Sequence, residues 1–214
     1  MAAKSLSTIE ITKILFDCGC LQISPDRPFT YASGLKGPLY CDNRRLLSFP
    51  KQREVIAQAF AEVWKQNEMG QSTVAGMATA GIAHAAFLAN ILQLPMVYIR
   101  SKPKSHGKGE QVEGAYRPGD EVVLAEDLVN QAASLEQGID GARKAELIVK
   151  KALCIVDYQM DAAKGRLDKN DVELFSLVKF EDILNFGVES GKIDSLQRER
   201  VLVWKSSPET WMKA

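Results

Sequence analysis

Apolar positions Ile9, Ile11, Ile14 and Leu15 recur at roughly helical spacing over residues 7–17, and Ser7 or Thr8 stands ready to cap the helix they predict. Residues 20–45 follow another pattern. Pro25, Pro28, Gly34, Gly37 and Pro38 separate the β-prone pieces LQIS, FTYAS and LYCDNR, which predicts a small irregular β region. From Pro50 onward, short apolar runs alternate with helical segments. Pro50 suits the first turn of a helix reaching about Gln66. STVAGMA reads as a buried strand, residues 81–92 as a helix and PMVYIR as a strand. Residues 101–120 form a long polar segment with no predicted element. EVVLAE is a strand, residues 134–144 a helix, and LIVKKALCIVDY contains the next strand. Residues 161–169, 180–191 and 195–204 read as helices, with ELFSLV as the last strand.

Short apolar runs separated by helices imply an α/β fold whose mainly parallel sheet is covered on both faces. Ligands in such sheets sit at the C-terminal ends of the strands. No internal repeat or low-complexity linker divides the chain. It reads as one structural domain: a small N-terminal hood and first helix over residues 1–49, and a core over 50–214.

Three stretches could carry chemistry. The apolar run from Glu121 ends in adjacent carboxylates, Glu126 and Asp127, where the chain is expected to turn. Such a pair can accept hydrogen bonds from vicinal sugar hydroxyls or sit near a divalent cation. An acidic strand end satisfied by water alone would look the same. The loop that follows opens a helix, and a helix start offers free N–H groups and a positive dipole end to a phosphate. Sugar hydroxyls and a phosphate together describe a ribose 5-phosphate. The second stretch is ATAGI, between strand and helix. Thr79 supplies a hydroxyl, while Ala80 and Gly81 let backbone approach a ligand; a tight turn needing Gly81 only for clearance is the plainer alternative. In the third, Arg100, Lys102, Lys104, His106 and Lys108 crowd into nine residues, with Gly107 and Gly109 between and beside them. A basic, glycine-hinged segment suits a lid closing on a polyanion, here at about 100–117, although a solvated charged hairpin has the same composition. His84, in an alanine-rich helix, reads as a satisfied core residue.

FTYASGLKGPLYCDNR, VAGMATAGIAHAA, YIRSKPKSHGKGEQVEG and EVVLAEDL, taken in order, resemble orotate phosphoribosyltransferases, and the likeness spans about Ser7 to Trp211. The resemblance implies a type I phosphoribosyltransferase fold with an N-terminal hood. It implies transfer of a phosphoribosyl group from 5-phosphoribosyl diphosphate to orotate, with Mg²⁺ as cofactor, in a homodimer whose lid reaches the neighbouring site. By similarity, Glu126 and Asp127 would hold the ribose hydroxyls, and the stretch through Leu128, Val129, Asn130, Gln131, Ala132, Ala133 and Ser134 the 5-phosphate. Arg100, Lys104 and His106 would close over pyrophosphate, beside a turn made by Thr79, Ala80 and Gly81. Tyr40 and Cys41 would lie where the hood covers the base, with Lys36 a further candidate. No protein residue is assigned as a metal ligand.

The chain departs from patterns of that family at two places. Where this branch reads like Ser-Thr-Gly-Gly-Ser, the sequence is Asn130-Gln131-Ala132-Ala133-Ser134. An alanine held at positive φ costs roughly 1–2 kcal/mol. Each hydroxyl bond lost to a phosphate dianion costs about 1.5–3 kcal/mol, and Gln131 is bulky enough to fill the phosphate space. Where some members carry an arginine after the next strand to hold the orotate carboxylate, IVDYQ has Tyr158. Three readings follow: an active enzyme, a catalytically impaired paralogue that binds a nucleotide or phosphate as a regulatory module, or an enzyme on a changed substrate.

Composition narrows the partners. Lys+Arg and Asp+Glu are both 27 of 214 residues, so the formal charge is zero, against a general nucleic-acid binder. Cys18, Cys20, Cys41 and Cys154 lack zinc-ligand spacing and read as free thiols of a reduced compartment. Glu10 and Lys13 interrupt any apolar leader, and the most apolar window, residues 81–99, contains His84, Asn90, Gln93 and Pro95. A cytoplasmic protein without membrane contact is expected.

Overall fold

The computed structural model describes residues 6–31, 34–103 and 110–211. Helix α1 (Thr8–Asp17) starts at Ser7, whose hydroxyl accepts from the Glu10 N–H while Glu10 accepts from the Ser7 N–H at 2.8 Å. This reciprocal cap satisfies two backbone donors at once. The irregular β region is two small antiparallel pairs. Strand β1 (Leu21–Ile23) pairs with β4 (Leu39–Cys41), and β2 (Phe29–Thr30) with β3 (Lys36–Gly37). LYCDNR is not all extended: the strand stops at Cys41, and residues Asn43–Ser48 coil into a 3₁₀ turn.

The core then alternates as its apolar periods predict. Helix α2 (Pro50–Gln66) begins on its proline, followed by β5 (Thr73–Met77), α3 (Ala80–Leu92), β6 (Met96–Ile99), β7 (Val112–Glu113) and β8 (Glu121–Val129). After these come α4 (Ala133–Lys144), β9 (Ile148–Asp157), α5 (Asp161–Lys169), β10 (Glu173–Lys179), α6 (Phe180–Glu189) and α7 (Ser195–Ser206). Six strands form one sheet in the order β10-β9-β8-β5-β6-β7. All pairings are parallel except β6 with β7. Every residue of β5 is buried, as a central strand covered on both faces requires.

Three sequence expectations are corrected. The polar segment is not structureless in its described part, because Val112 and Glu113 pair with Ile99 and Tyr98 at the sheet edge. The expected lid over 100–117 therefore includes a strand; Lys104, His106 and Lys108 lie outside the described residues. The chain does not turn at the acid pair either. Strand β8 continues through Leu128 and Val129, held by β9 at Val156 and Asp157. The helix expected over 180–191 ends at Glu189, where Gly191 takes a left-handed φ of 68°.

The hood rests on the last helix. Asp26 accepts from Gln197 and Arg200, and Arg200 also donates to the Pro25 carbonyl at 2.8 Å. Trp204 of α7 packs on Phe180 and edge-on to Tyr158. The four cysteines are free, and burial pushes the Cys20 thiol up to about 12, so it stays protonated. Among the described residues, no helix is long and apolar enough to cross a membrane.

Candidate active site

Strand order reverses between β5 and β8, since the chain adds β6 on one side of β5 and β8, β9 and β10 on the other. In doubly wound sheets a ligand crevice opens at such a point, beyond the strands' C-terminal ends. Here those ends carry two of the stretches singled out from sequence: Thr79, Ala80 and Gly81 after β5, and Glu126 and Asp127 within the last four residues of β8.

The two ends touch. A Cβ placed on Gly81 would lie 2.3 Å from the Ala125 carbonyl oxygen and 3.2 Å from Glu126 Cα. Glycine is thus required for clearance, and that clearance is what brings the turn against the acid pair. The peptide between Ala78 and Thr79 is cis. Thr79 is exposed at the N-terminus of α3, and its hydroxyl makes no cap bond. It remains available to a ligand.

Glu126 is buried, while its neighbour Asp127 is partly exposed. Burial raises the Glu126 pKa well above the usual carboxylate value, and the adjacent Asp127 carboxyl raises it further. One Glu126 oxygen accepts from the Asp127 N–H at 2.9 Å. Without ligand Glu126 therefore favours its protonated form, and a ligand that donates hydrogen bonds to it favours loss of that proton to solvent.

Other elements converge on Asp127. The amide of Asn43, wholly buried in the 3₁₀ turn, donates to the Asp127 carbonyl at 2.7 Å. Burial pushes the Cys41 thiol well up, and the Asp127 charge adds to that. His84 is buried as expected but is not satisfied, because its Nε2 has no partner among the described residues; burial lowers its pKa and the Asp127 charge opposes the shift. Of the hood candidates, Cys41 is therefore near the acid pair. Tyr40 packs against Phe29 in a tilted pair at 5.5 Å between ring centroids, and Lys36 is exposed on β3. Arg100 stands at the end of β6, its N–H donating to the Gln111 carbonyl at 2.9 Å and its guanidinium 3.4 Å from Glu113. This holds it at the sheet edge. Tyr158 is buried against Trp204, and burial raises its hydroxyl pKa.

The loop after β8 wraps one wall of a cavity of about 440 Å³, which Asn130 to Ser134 line together with Tyr31, Trp204 and Glu209. Gln131 is among the residues that border this space. Helix α4 has no side-chain cap, and its first backbone bond runs from the Glu136 N–H to the Ala132 carbonyl. The N–H groups of Ala133, Ser134 and Leu135 are therefore the orphan donors of a helix start, suited to an anion. The two alanines are not equivalent. Ala133 is already helical, whereas Ala132 sits at φ 58°, ψ 18° in the left-handed region. Only Ala132 bears the penalty. Ala132→Gly should stabilise the protein by about 1 kcal/mol, raising Tm by about 2–4 °C for a chain of this size. Thermal unfolding decides; an unchanged or lowered Tm would mean the alanine is unstrained.

Sequence reasoning did not find Tyr31, Asn43, Trp204 or Glu209 as neighbours of the site. Tyr31 and Asn43 lie inside quoted motifs and were within reach. Trp204 and Glu209 come from the far end of the chain and carry no local signal.

A family model described as phosphoribosyl transferase domain matches residues 44–190. An orotate phosphoribosyltransferase of Listeria innocua is 37% identical over 204 residues, 95% of this chain and 98% of its own. One of Bacillus cereus is 38% identical over 207 residues, covering 96% and 99% of the two chains. Among solved structures, orotate phosphoribosyltransferase from Aeropyrum pernix is 30% identical with a TM-score of 0.69, over 82% of this chain and 97% of that one.

Proposed function

Because the chain belongs to the orotate phosphoribosyltransferase family, we propose that it joins orotate to the ribose of 5-phosphoribosyl diphosphate, giving orotidine 5′-monophosphate and pyrophosphate in pyrimidine biosynthesis. The carrying observation is the contact at the reversal of strand order, where the Gly81 turn abuts the acid pair beside an uncapped helix start. That arrangement suits one ligand with a diphosphate at C1, vicinal hydroxyls and a 5-phosphate.

Each part has a task. Glu126 and Asp127 accept hydrogen bonds from the 2- and 3-hydroxyls of the ribose and hold C1 in place. The amides of Ala133 to Leu135 take the 5-phosphate, with the Ser134 hydroxyl beside them. Thr79 and the turn through Gly81 take the pyrophosphate side. The hood, with Tyr40 and Cys41, covers the base. As the C1–oxygen bond breaks and a ring nitrogen of orotate bonds to C1, its proton passing to the departing diphosphate, positive charge grows on the ribose and negative charge on the leaving group. Asp127 faces the first, and Arg100, with Lys104 and His106, neutralises the second. A lid is needed because water competes as nucleophile at C1; in a homodimer the lid serves the neighbouring site.

The donor set bears on Mg²⁺. Among the described residues no group of three or more His, Cys, Asp or Glu side chains could enclose an ion. Two carboxylates remain, which fits an ion held mainly by substrate phosphates and water. Glu126 and Asp127 are the residues within its reach, and Mg²⁺ would supply charge neutralisation at the diphosphate.

One feature favours the second reading, a chain that binds a nucleotide or phosphate with little turnover: Ala132 is held left-handed where a glycine would rest without strain. The decay of orotate absorbance on mixing protein, Mg²⁺ and 5-phosphoribosyl diphosphate separates the two. Turnover at an ordinary enzymatic rate is expected. Its absence from folded protein would leave the binding module as the better description.

A further inference from the structure

The loop that carries Ala132 lacks a glycine, yet its backbone takes a glycine-like turn, and a side chain from outside the loop is bonded to it. The structure assigns that role to Arg166, which we infer is a positioning residue for the 5-phosphate amides; this rests on the function proposed above. Arg166 lies in α5, 35 residues from the loop it reaches. One terminal nitrogen of its guanidinium donates to the Gln131 carbonyl at 2.8 Å and, more weakly, to the Ala162 carbonyl at 3.3 Å. Its Nε donates to the Glu136 carboxylate at 3.1 Å.

These bonds bracket the strained residue. Gln131 immediately precedes Ala132, and Glu136 closes the first turn of α4, its N–H bonded to the Ala132 carbonyl. One planar guanidinium thus pins the peptide entering the turn and the side chain of the residue that ends it. Such a rigid fork loses little freedom in making two bonds. The Gln131 carbonyl is thereby drawn toward α5, next to the residues whose N–H groups are the free donors of the α4 start.

The same contact removes an electrostatic fault. A carboxylate in the first turn of a helix favours an empty N-terminus and repels an incoming phosphate. Glu136 is such a group, and Arg166 binds it directly, with Lys169 at 3.5 Å and the Asn170 amide at 3.5 Å on its other oxygen. Its charge is turned toward α5 and compensated there. Arg166 is assigned no contact with substrate; it acts through Gln131, Ala132 and Glu136.

The test is ribose 5-phosphate binding by calorimetry, which needs no turnover, with pyrophosphate binding as the internal control. Arg166→Met should weaken ribose 5-phosphate about tenfold, the loss expected on removing a charge-assisted hydrogen bond, and leave pyrophosphate affinity unchanged. Arg166→Lys, which carries the charge but not the fork, should recover only part of it. The deciding measurement is the double variant. With Ala132→Gly the turn no longer needs holding, so Arg166→Met should then cost about threefold or less, a coupling of about 0.7 kcal/mol. Equal losses in both backgrounds, or a matching loss of pyrophosphate binding, would overturn the positioning role. Should Arg166→Met not fold, Arg166→Lys in the two backgrounds answers the same question. A wild-type protein that binds ribose 5-phosphate as predicted but does not convert orotate would sink the proposed function and leave this inference standing. One that binds no ribose 5-phosphate would sink both.

Discussion

Glu126→Gln should be more stable than the wild type at alkaline pH and much weaker in substrate binding. Glu126 ordinarily ionises near 4.5, and burial with the neighbouring Asp127 carboxyl raises that value in the folded protein. Below about pH 4.5 the folded and unfolded chains are both protonated there, and the group does not affect stability. As pH rises past that point the unfolded chain releases its proton while the folded chain retains it. The unfolded state is favoured increasingly, until the folded pKa is passed. Glutamine cannot ionise and escapes this loss. Denaturant unfolding should therefore give nearly equal stabilities for the two proteins at pH 4 and a growing advantage for glutamine from pH 5 upward. The same substitution removes an anionic acceptor for a ribose hydroxyl, a loss of about 1.5–3 kcal/mol, or roughly tenfold to more than a hundredfold in kcat/KM. Binding of ribose 5-phosphate to the wild type should release a proton, visible as a buffer-dependent heat that the variant lacks. Parallel pH curves for the two proteins would mean that Glu126 ionises normally in the fold.

Gly81→Ala should damage stability and activity together. The new methyl would meet the Ala125 carbonyl oxygen at 2.3 Å, a backbone atom that cannot turn aside. Helix α3 must move off β8, and such overpacking costs about 1–3 kcal/mol or more. For a chain of this length that is a fall in Tm of about 2–12 °C. The displacement separates the Thr79 turn from the acid pair, and an error near 1 Å in such a site costs about a hundredfold in rate. Melting curves and steady-state rates measured together check this. A variant melting within a degree of wild type would show that α3 yields easily.

What could be read from the sequence was what short-range periodicity and punctuation encode. Pro50 marked the start of α2, and residues 161–169 were delimited by their own helical pattern. The acid pair, the Gly81 turn and the loop at 130–134 were identified from their order after apolar runs. What escaped was decided elsewhere in the chain. Two-residue β7 has no alternation to detect and exists because β6 offers it an edge. Strand β8 outruns its apolar run because β9 continues beside it. The strain at the loop was legible only as a condition; the backbone assigned it to Ala132 and exempted Ala133. Trp204 and Arg166 reach the loop through packing between elements, and neither sits in a motif.

The buried bond from Asn43 to the Asp127 carbonyl limits how the hood can be exchanged. The hood and the sheet look like separable modules, one presenting the base and the other the sugar. Yet the first residue of the 3₁₀ turn that follows the hood's last strand is fastened to the backbone of Asp127, the residue proposed to lie beneath C1. A hood grafted from another family member to change the accepted base would have to supply a donor at that place. Without it, the graft would leave the part-buried Asp127 carbonyl unpaired and loosen the carboxylate proposed to hold the ribose.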